Sequence, residues 1–213
     1  MRLLSATLGG AVLAAAWLGP LPTLVPVSFV AHMSMHVLVV ALAAPLLALG
    51  IVGTRFDPTR RAPTLLAPVS ASLLEMAVVW AWHAPALHHA SRHQSWALML
   101  EQCLFLAVGL LVWLTAYGSG DNRRAGRAAA GIVGLLLASM HMTLLGALLA
   151  LSPRSLYGHV GTAAFGLSVL EDQQLGGVLM LLVAGTVYLL GGLALLAMLL
   201  RESAVSATSG SRR

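Results

Sequence analysis

Charge is scarce in this chain. Of 213 residues, 9% are charged and 59% are hydrophobic, a balance that excludes an ordinary soluble domain, where about 25% are charged. Lysine is absent and all 12 cations are arginine, which fits a coding bias as well as any function. A single cysteine, Cys103, excludes an internal disulfide framework, even though part of the chain faces an oxidising compartment. The formal charge of +5 does not signal nucleic acid, because the arginines punctuate apolar runs and build no continuous basic stripe. There is no nucleophile paired with its base, no phosphate loop and no dinucleotide fingerprint, so the sequence does not read as an enzyme.

What the chain has instead is long apolar runs. A helix needs about 20 apolar residues to cross ~30 Å of hydrocarbon. Six segments qualify, roughly 3–19, 29–51, 66–84, 95–117, 128–151 and 174–200. Prolines and glycines mark most of the breaks, among them Pro20, Pro58, Pro63, Pro85, Gly120 and Pro153. The reading is an all-α, polytopic transmembrane bundle forming one domain over residues 1–202, with a disordered tail at 203–213. The first segment also has signal-peptide features, since Arg2 precedes an apolar run ending in Ala14-Ala15-Ala16. Its length and the lack of a clean cleavage site favour a retained span.

With both termini cytoplasmic, the outer loops hold only Arg92 and Arg154, and the inner segments hold the other ten arginines. Seven histidines fall at the opposite edge: His32, His36, His83, His88, His89, His93 and His159. The eighth, His141, lies inside a span. An imidazole-rich outer rim suits a transition-metal or haem site.

Within that rim, His32-Met33-Ser34-Met35-His36 carries the sharpest pattern. His32 and His36 are one turn apart on one helical face, with Met33 and Met35 flanking it. Imidazole with thioether suits copper, particularly Cu(I), whereas so few carboxylates make magnesium or calcium unsuitable. The plainer alternative is a hydrogen-bonding histidine pair with methionine filler. His83 points to the same layer, while Trp80 and Trp82 read as interfacial anchors. His88, His89 and His93, beside Arg92, read as solvated loop residues outside the ligand set.

His141, between Met140 and Met142, is costly at its depth unless ligated or hydrogen-bonded, and at most one of those methionines shares its face. Glu75 and Glu101 also lie within spans, with no arginine at hand. Glu101, near His36 in depth, is placed to orient an imidazole, while Cys103 turns about 200° away from it. Asp172 opens the last segment, either as that helix's own N-cap or as a carboxylate brought inward by Gly176 and Gly177.

Taken in order, the runs SFVAHMSMHVLVVALAAPLLALG, WHAPALHHA, LEQCLFLAVGLLVW, HMTLLGALLALSPRSLY and EDQQLGGVLM resemble the multi-span CtaG family of cytochrome c oxidase assembly factors, associated with caa(3)-type oxidases. The unrelated single-span copper protein sharing that label is a different molecule. The resemblance extends from about Ser28 to Met198 and rests on order and spacing. It implies a membrane protein needed for oxidase maturation, with copper delivery the usual proposal. The family pattern falls on His32, His36, His83, His141, Tyr157, Asp172, Gln173 and Gly177. Two positions depart from it: Gln102, where many members have histidine, and Leu181, where tryptophan is frequent.

The leading expectation is a non-enzymatic copper-handling factor in the bacterial cytoplasmic membrane, acting on an oxidase subunit or another assembly protein. Its metal ligands would be His32, His36, His83, His141 and Asp172, with Met33, Met35, Met142, Glu101 and Cys103 accessory. A haem-binding cytochrome is weakened because His32 and His36 share a face instead of opposing each other. A copper or small-solute transporter needs a continuous polar path, and the lower half of the spans offers only Glu75. Reporter fusions should place Arg124 in the cytoplasm and His89 outside; the reverse labelling would overturn the orientation.

Overall fold

The computed structural model describes residues 1–60, 67–118, 124–157 and 166–210. Among the described residues, ten α-helices make up the bundle: α1 (Arg2–Leu18), α2 (Leu21–Leu24), α3 (Phe29–Val37), α4 (Ala44–Ile51), α5 (Pro68–Trp82), α6 (Pro85–His93), α7 (Ser95–Tyr117), α8 (Arg124–Ala150), α9 (Val169–Leu179) and α10 (Gly185–Gly210). No strand forms among the described residues. The chain is an all-α, polytopic helical bundle.

Two wide π-helical turns join helices into longer rods. Leu38–Ala43 links α3 to α4, and Met180–Ala184 links α9 to α10. The first has a local cause, because Pro45 has no N–H to give the carbonyl one turn back and its ring crowds that carbonyl. The wider turn leaves the Val40 carbonyl to accept a hydrogen bond from the Tyr188 hydroxyl at 3.4 Å. The two π turns lie against each other in the middle of the bundle.

Among the described residues, five helical stretches are long and apolar enough to cross a membrane: Arg2–Leu24, Phe29–Ile51, Ser95–Tyr117, Gly126–Ala150 and Val169–Ala204. The segment expected at 66–84 is the exception. Bounded by Pro68 and Pro85, α5 has 15 residues, or about 22 Å of rise. It packs against α7 and α8, with Glu75 and Trp82 buried, so Trp82 is a core residue and no interfacial anchor. The last segment begins earlier than 174, at Val169, and α10 runs on to Gly210, past Ser203 where disorder is expected. The run Glu202-Ser-Ala-Val-Ser-Ala lacks any proline or glycine that would stop it.

The helices share two distinct ends. At the arginine-rich end the Arg2 guanidinium lies against Gly53, and Thr59 lies against Gly118. The opposite end gathers the starts of α3, α7 and α9 with the ends of α5 and α8, and α6 lies across it. Most of the described histidines collect there.

Close backbone approach ties α8 to α9. A Cβ added at Gly146 would stand 2.8 Å from the Gly177 carbonyl oxygen and 2.7 Å from the Leu181 nitrogen, and backbone atoms cannot give way. Gly146→Ala should therefore cost about 1–3 kcal/mol. Gly10→Ala, which meets nothing within 4 Å, should cost nothing. Thermal unfolding of the two variants in detergent would check this, and equal melting temperatures would refute it.

Candidate metal centre

The site begins with the capping of α3. Ser28 caps this helix, its hydroxyl accepting from the Ala31 N–H at 3.2 Å and donating to Asp172 Oδ1 at 3.0 Å. The Asp172 carboxylate also accepts from the N–H groups of Phe29 and Val30. A carboxylate on α9 thus fills the N-terminus of α3, where unpaired N–H groups and the helix dipole favour an anion. Asp172 is not the cap of its own helix. That role falls to Ser168, in a reciprocal capping box with Glu171. With α3 started in this way, His32 and His36 lie one turn apart, buried, with ring centroids 4.3 Å from each other.

Glu101 on α7 faces both rings. Its Oε2 is 2.8 Å from His32 Nε2 and its Oε1 is 3.5 Å from His36 Nε2. The contact with His32 is at hydrogen-bond distance, as expected of a carboxylate that orients an imidazole, and leaves His32 Nδ1 without a partner. Next to Glu101, Gln102 sets the protonation pattern of His36. The Trp17 indole can only donate, and it does so to Gln102 Oε1 at 3.3 Å. The Gln102 amide nitrogen must then face His36, donating to Nδ1 at 2.8 Å. In the neutral ring the His36 proton sits on Nε2, toward Glu101.

His83 closes the chamber from the end of α5. Its Nδ1 is 2.7 Å from the Val79 carbonyl, which can only accept, so the proton is on Nδ1 and Nε2 presents a lone pair. Metal-binding imidazoles are commonly oriented in this way. His88, from α6, stacks on His32 with centroids 4.9 Å apart and lies 6.5 Å from His83. It is buried, not solvated. That burial, reinforced by the neighbouring His32 and His83, holds its imidazole well below the ordinary histidine range, so the ring is neutral.

Loop residues cover the group. Gln173 accepts from the Leu156 N–H at 2.7 Å, and Tyr157 then lies 4.0 Å from His88, donating its hydroxyl to the His83 carbonyl at 3.0 Å. Burial pushes the Tyr157 phenol up, keeping it a donor. Arg92 is also buried, its guanidinium donating to the carbonyls of Val25 and Pro26 at the end of α2.

The atoms left without partners show what this chamber suits. His32 Nδ1, His36 Nε2, His83 Nε2, both nitrogens of His88 and Glu101 Oε1 are all buried with no hydrogen bond. Each such group costs about 1–3 kcal/mol. One ligand atom each from His32, His36 and Glu101 lie within 4.8 Å of one another. Imidazole nitrogens with a single carboxylate form a donor set for a first-row transition metal, too poor in oxygen for calcium or magnesium. The residues fit such an ion.

Other expected ligands lie elsewhere. His141 does not join the cluster; its Nε2 is 3.5 Å from Glu75 Oε2, and Glu75 is hydrogen-bonded to the Tyr188 hydroxyl. Glu75 sits eight residues before His83 on α5, about 12 Å deeper by helical rise. Asp172 has its oxygens turned to α3. Met35 and Cys103 lie with Trp17 on the far side of α3 and α7, whereas Met33 faces inward. Two residues along a helix is a turn of about 200°, so Met33 and Met35 cannot flank one face. His89 and His93 lie tilted against each other, ring centroids 4.5 Å apart, on the exposed side of α6. His159 lies outside the described residues. The participants not expected from sequence are His88 and Gln102. A proline at N1 followed by His88, Ser91 and Arg92 at i, i+3 and i+4 is the signal that α6 has a buried face.

Removing the Asp172 carboxylate should unseat the start of α3. Asp172→Ala is expected to lower stability by about 2 kcal/mol, with Asp172→Asn losing less. Unfolding curves for the two variants check this, and an unchanged Asp172→Ala midpoint would refute it.

Comparison with known proteins gives one match. The family model described as cytochrome c oxidase caa3 assembly factor (Caa3_CtaG) matches residues 1–202. No curated protein and no solved structure matches the chain. A match over nearly the whole length, spanning every helix that builds the chamber, places the chain in the caa3-type cytochrome c oxidase assembly factor family.

Proposed function

We propose that this assembly factor holds copper for the oxidase at the extracytoplasmic face of the bacterial cytoplasmic membrane. The observation that carries the reading is the convergence of His32, His36, His83, His88 and Glu101, from four helices, with most of their metal-binding atoms buried and unpartnered. A bound ion would satisfy those atoms, and the family membership supports an oxidase component as the recipient. The arginine distribution supports an outer position for the chamber. His83 arrives with its proton already on Nδ1, and neutral His88 needs no deprotonation, so both accept an ion readily. His36 has to shed its Nε2 proton, and Glu101 Oε1 is the nearest acceptor.

A haem reading is disfavoured by space. The cavity beneath the imidazoles is about 10 Å³, roughly room for one water and far from a macrocycle. A transporter is disfavoured because the lower wall of that cavity is Val40, Val79 and Ala184.

His36→Ala and His88→Ala should each weaken copper binding about 10–100-fold and reduce oxidase copper content and activity together. His89→Ala should leave all three unchanged. The measurement is copper content of the purified factor and of the oxidase, at matched protein abundance. Equal activity in His36→Ala and His89→Ala would remove His36 from the site, and equal activity in His88→Ala would remove His88.

A further inference from the structure

Beneath the imidazole cluster the bundle holds a small cavity with a methionine-rich lining. Three methionines line it from three separate rods: Met33 on α3, Met142 on α8 and Met180 at the π turn after α9. All three are buried. His36 and His83 line its upper side; neither Nε2 has a hydrogen bond, and that of His36 lies 3.5 Å from Glu101 Oε1. Methionine is the residue that fills irregular gaps most readily. Three of them border a void of about 10 Å³, about the size that holds one small body. The glycine at 176 contributes to this convergence, because a Cβ there would stand 2.9 Å from Met33 Cγ.

We infer that this cavity is a second, soft subsite for copper(I), with Met33, Met142 and Met180 as thioether ligands beneath His36 and His83. The inference rests on reading the cluster above as a copper-handling centre. The two layers differ in chemistry. Above, His32, His88 and Glu101 supply nitrogen and oxygen, which suit divalent ions. Below, uncharged sulfur suits the monovalent ion and binds it without any proton leaving. His36 and His83 border both layers, so an ion can pass between them while keeping two ligands. Sequence alone points to Met33 and Met142; Met180 joins them only through the packing of α9 on α3 and α8.

The test uses the purified full chain in detergent, titrated anaerobically with copper(I) against a competing chelator and separately with cobalt(II) as a probe of the upper layer. Met142→Leu and Met180→Leu are near-isosteric, so the fold should hold. Each should weaken copper(I) binding by about tenfold or more while leaving the cobalt(II) spectrum and affinity unchanged. Met140→Leu, on the exposed side of α8, should change neither. X-ray absorption of the copper(I) form should show sulfur neighbours that are reduced in the variants. Unchanged copper(I) affinity in both variants, with only nitrogen and oxygen neighbours, would overturn the subsite. Cobalt(II) binding without copper(I) binding would overturn it while leaving a metal centre above. Absence of both would overturn the copper-handling reading itself.

Discussion

A helix that starts inside a bilayer has no water to satisfy its first N–H groups. Here the carboxylate of Asp172, brought in from the last rod, satisfies them for α3. The rest of the chamber depends on this contact. It fixes where α3 begins, hence the heights of His32 and His36, and it joins the second rod to the sixth across most of the chain's length. Gln173, one residue on, pulls Leu156 down and seats Tyr157 over the rings. The close crossing of Gly146 and Gly177 lets α9 reach that position. Two adjacent polar residues and two glycines thereby align three helix ends.

The chamber they hold is under-satisfied by design of its composition. Soluble cores tolerate few unpaired polar atoms, and hydrocarbon surroundings make each more costly. Concentrating several imidazole nitrogens in one buried place, while His83, His36 and Tyr157 each have a defined hydrogen-bond partner, separates atoms that orient from atoms left to bind. Deeper in the bundle, Glu75, His141 and Tyr188 form a second polar group, in which the Tyr188 hydroxyl is hydrogen-bonded to Glu75 while both His141 nitrogens and Glu75 Oε2 have no hydrogen bond.

Much of this was legible in the chain. Apolar runs and arginine placement mark the bundle, and the i, i+4 histidines with His83 and Glu101 mark three of the helices that meet. What sequence reading missed followed from rotation and capping, which composition does not report. Asp172 reads equally well as the cap of its own helix, because only packing reveals that its carboxylate turns to α3. Met33 and Met35 look like a pair until 200° of turn separates them. His141 is attractive as a ligand by depth alone, yet its partner, Glu75, lies eight residues along α5 from His83. His88 was hidden in a stretch that reads as a loop, since a nine-residue helix between two spans gives a weak signal.

The first helix buries little of itself against the bundle, and one indole on it reaches the centre. Because Trp17 holds the Gln102 carbonyl, the amide cannot turn over, and the nitrogen toward His36 is locked as a donor. The tautomer of a buried histidine is thus set by the least buried of the five long apolar helices among the described residues. Without the Trp17 contact the amide would be free to rotate. His36 then gains a second protonation pattern, with Nε2 bare. The peripheral helix in this way has a mechanical hold on the chemistry of the interior.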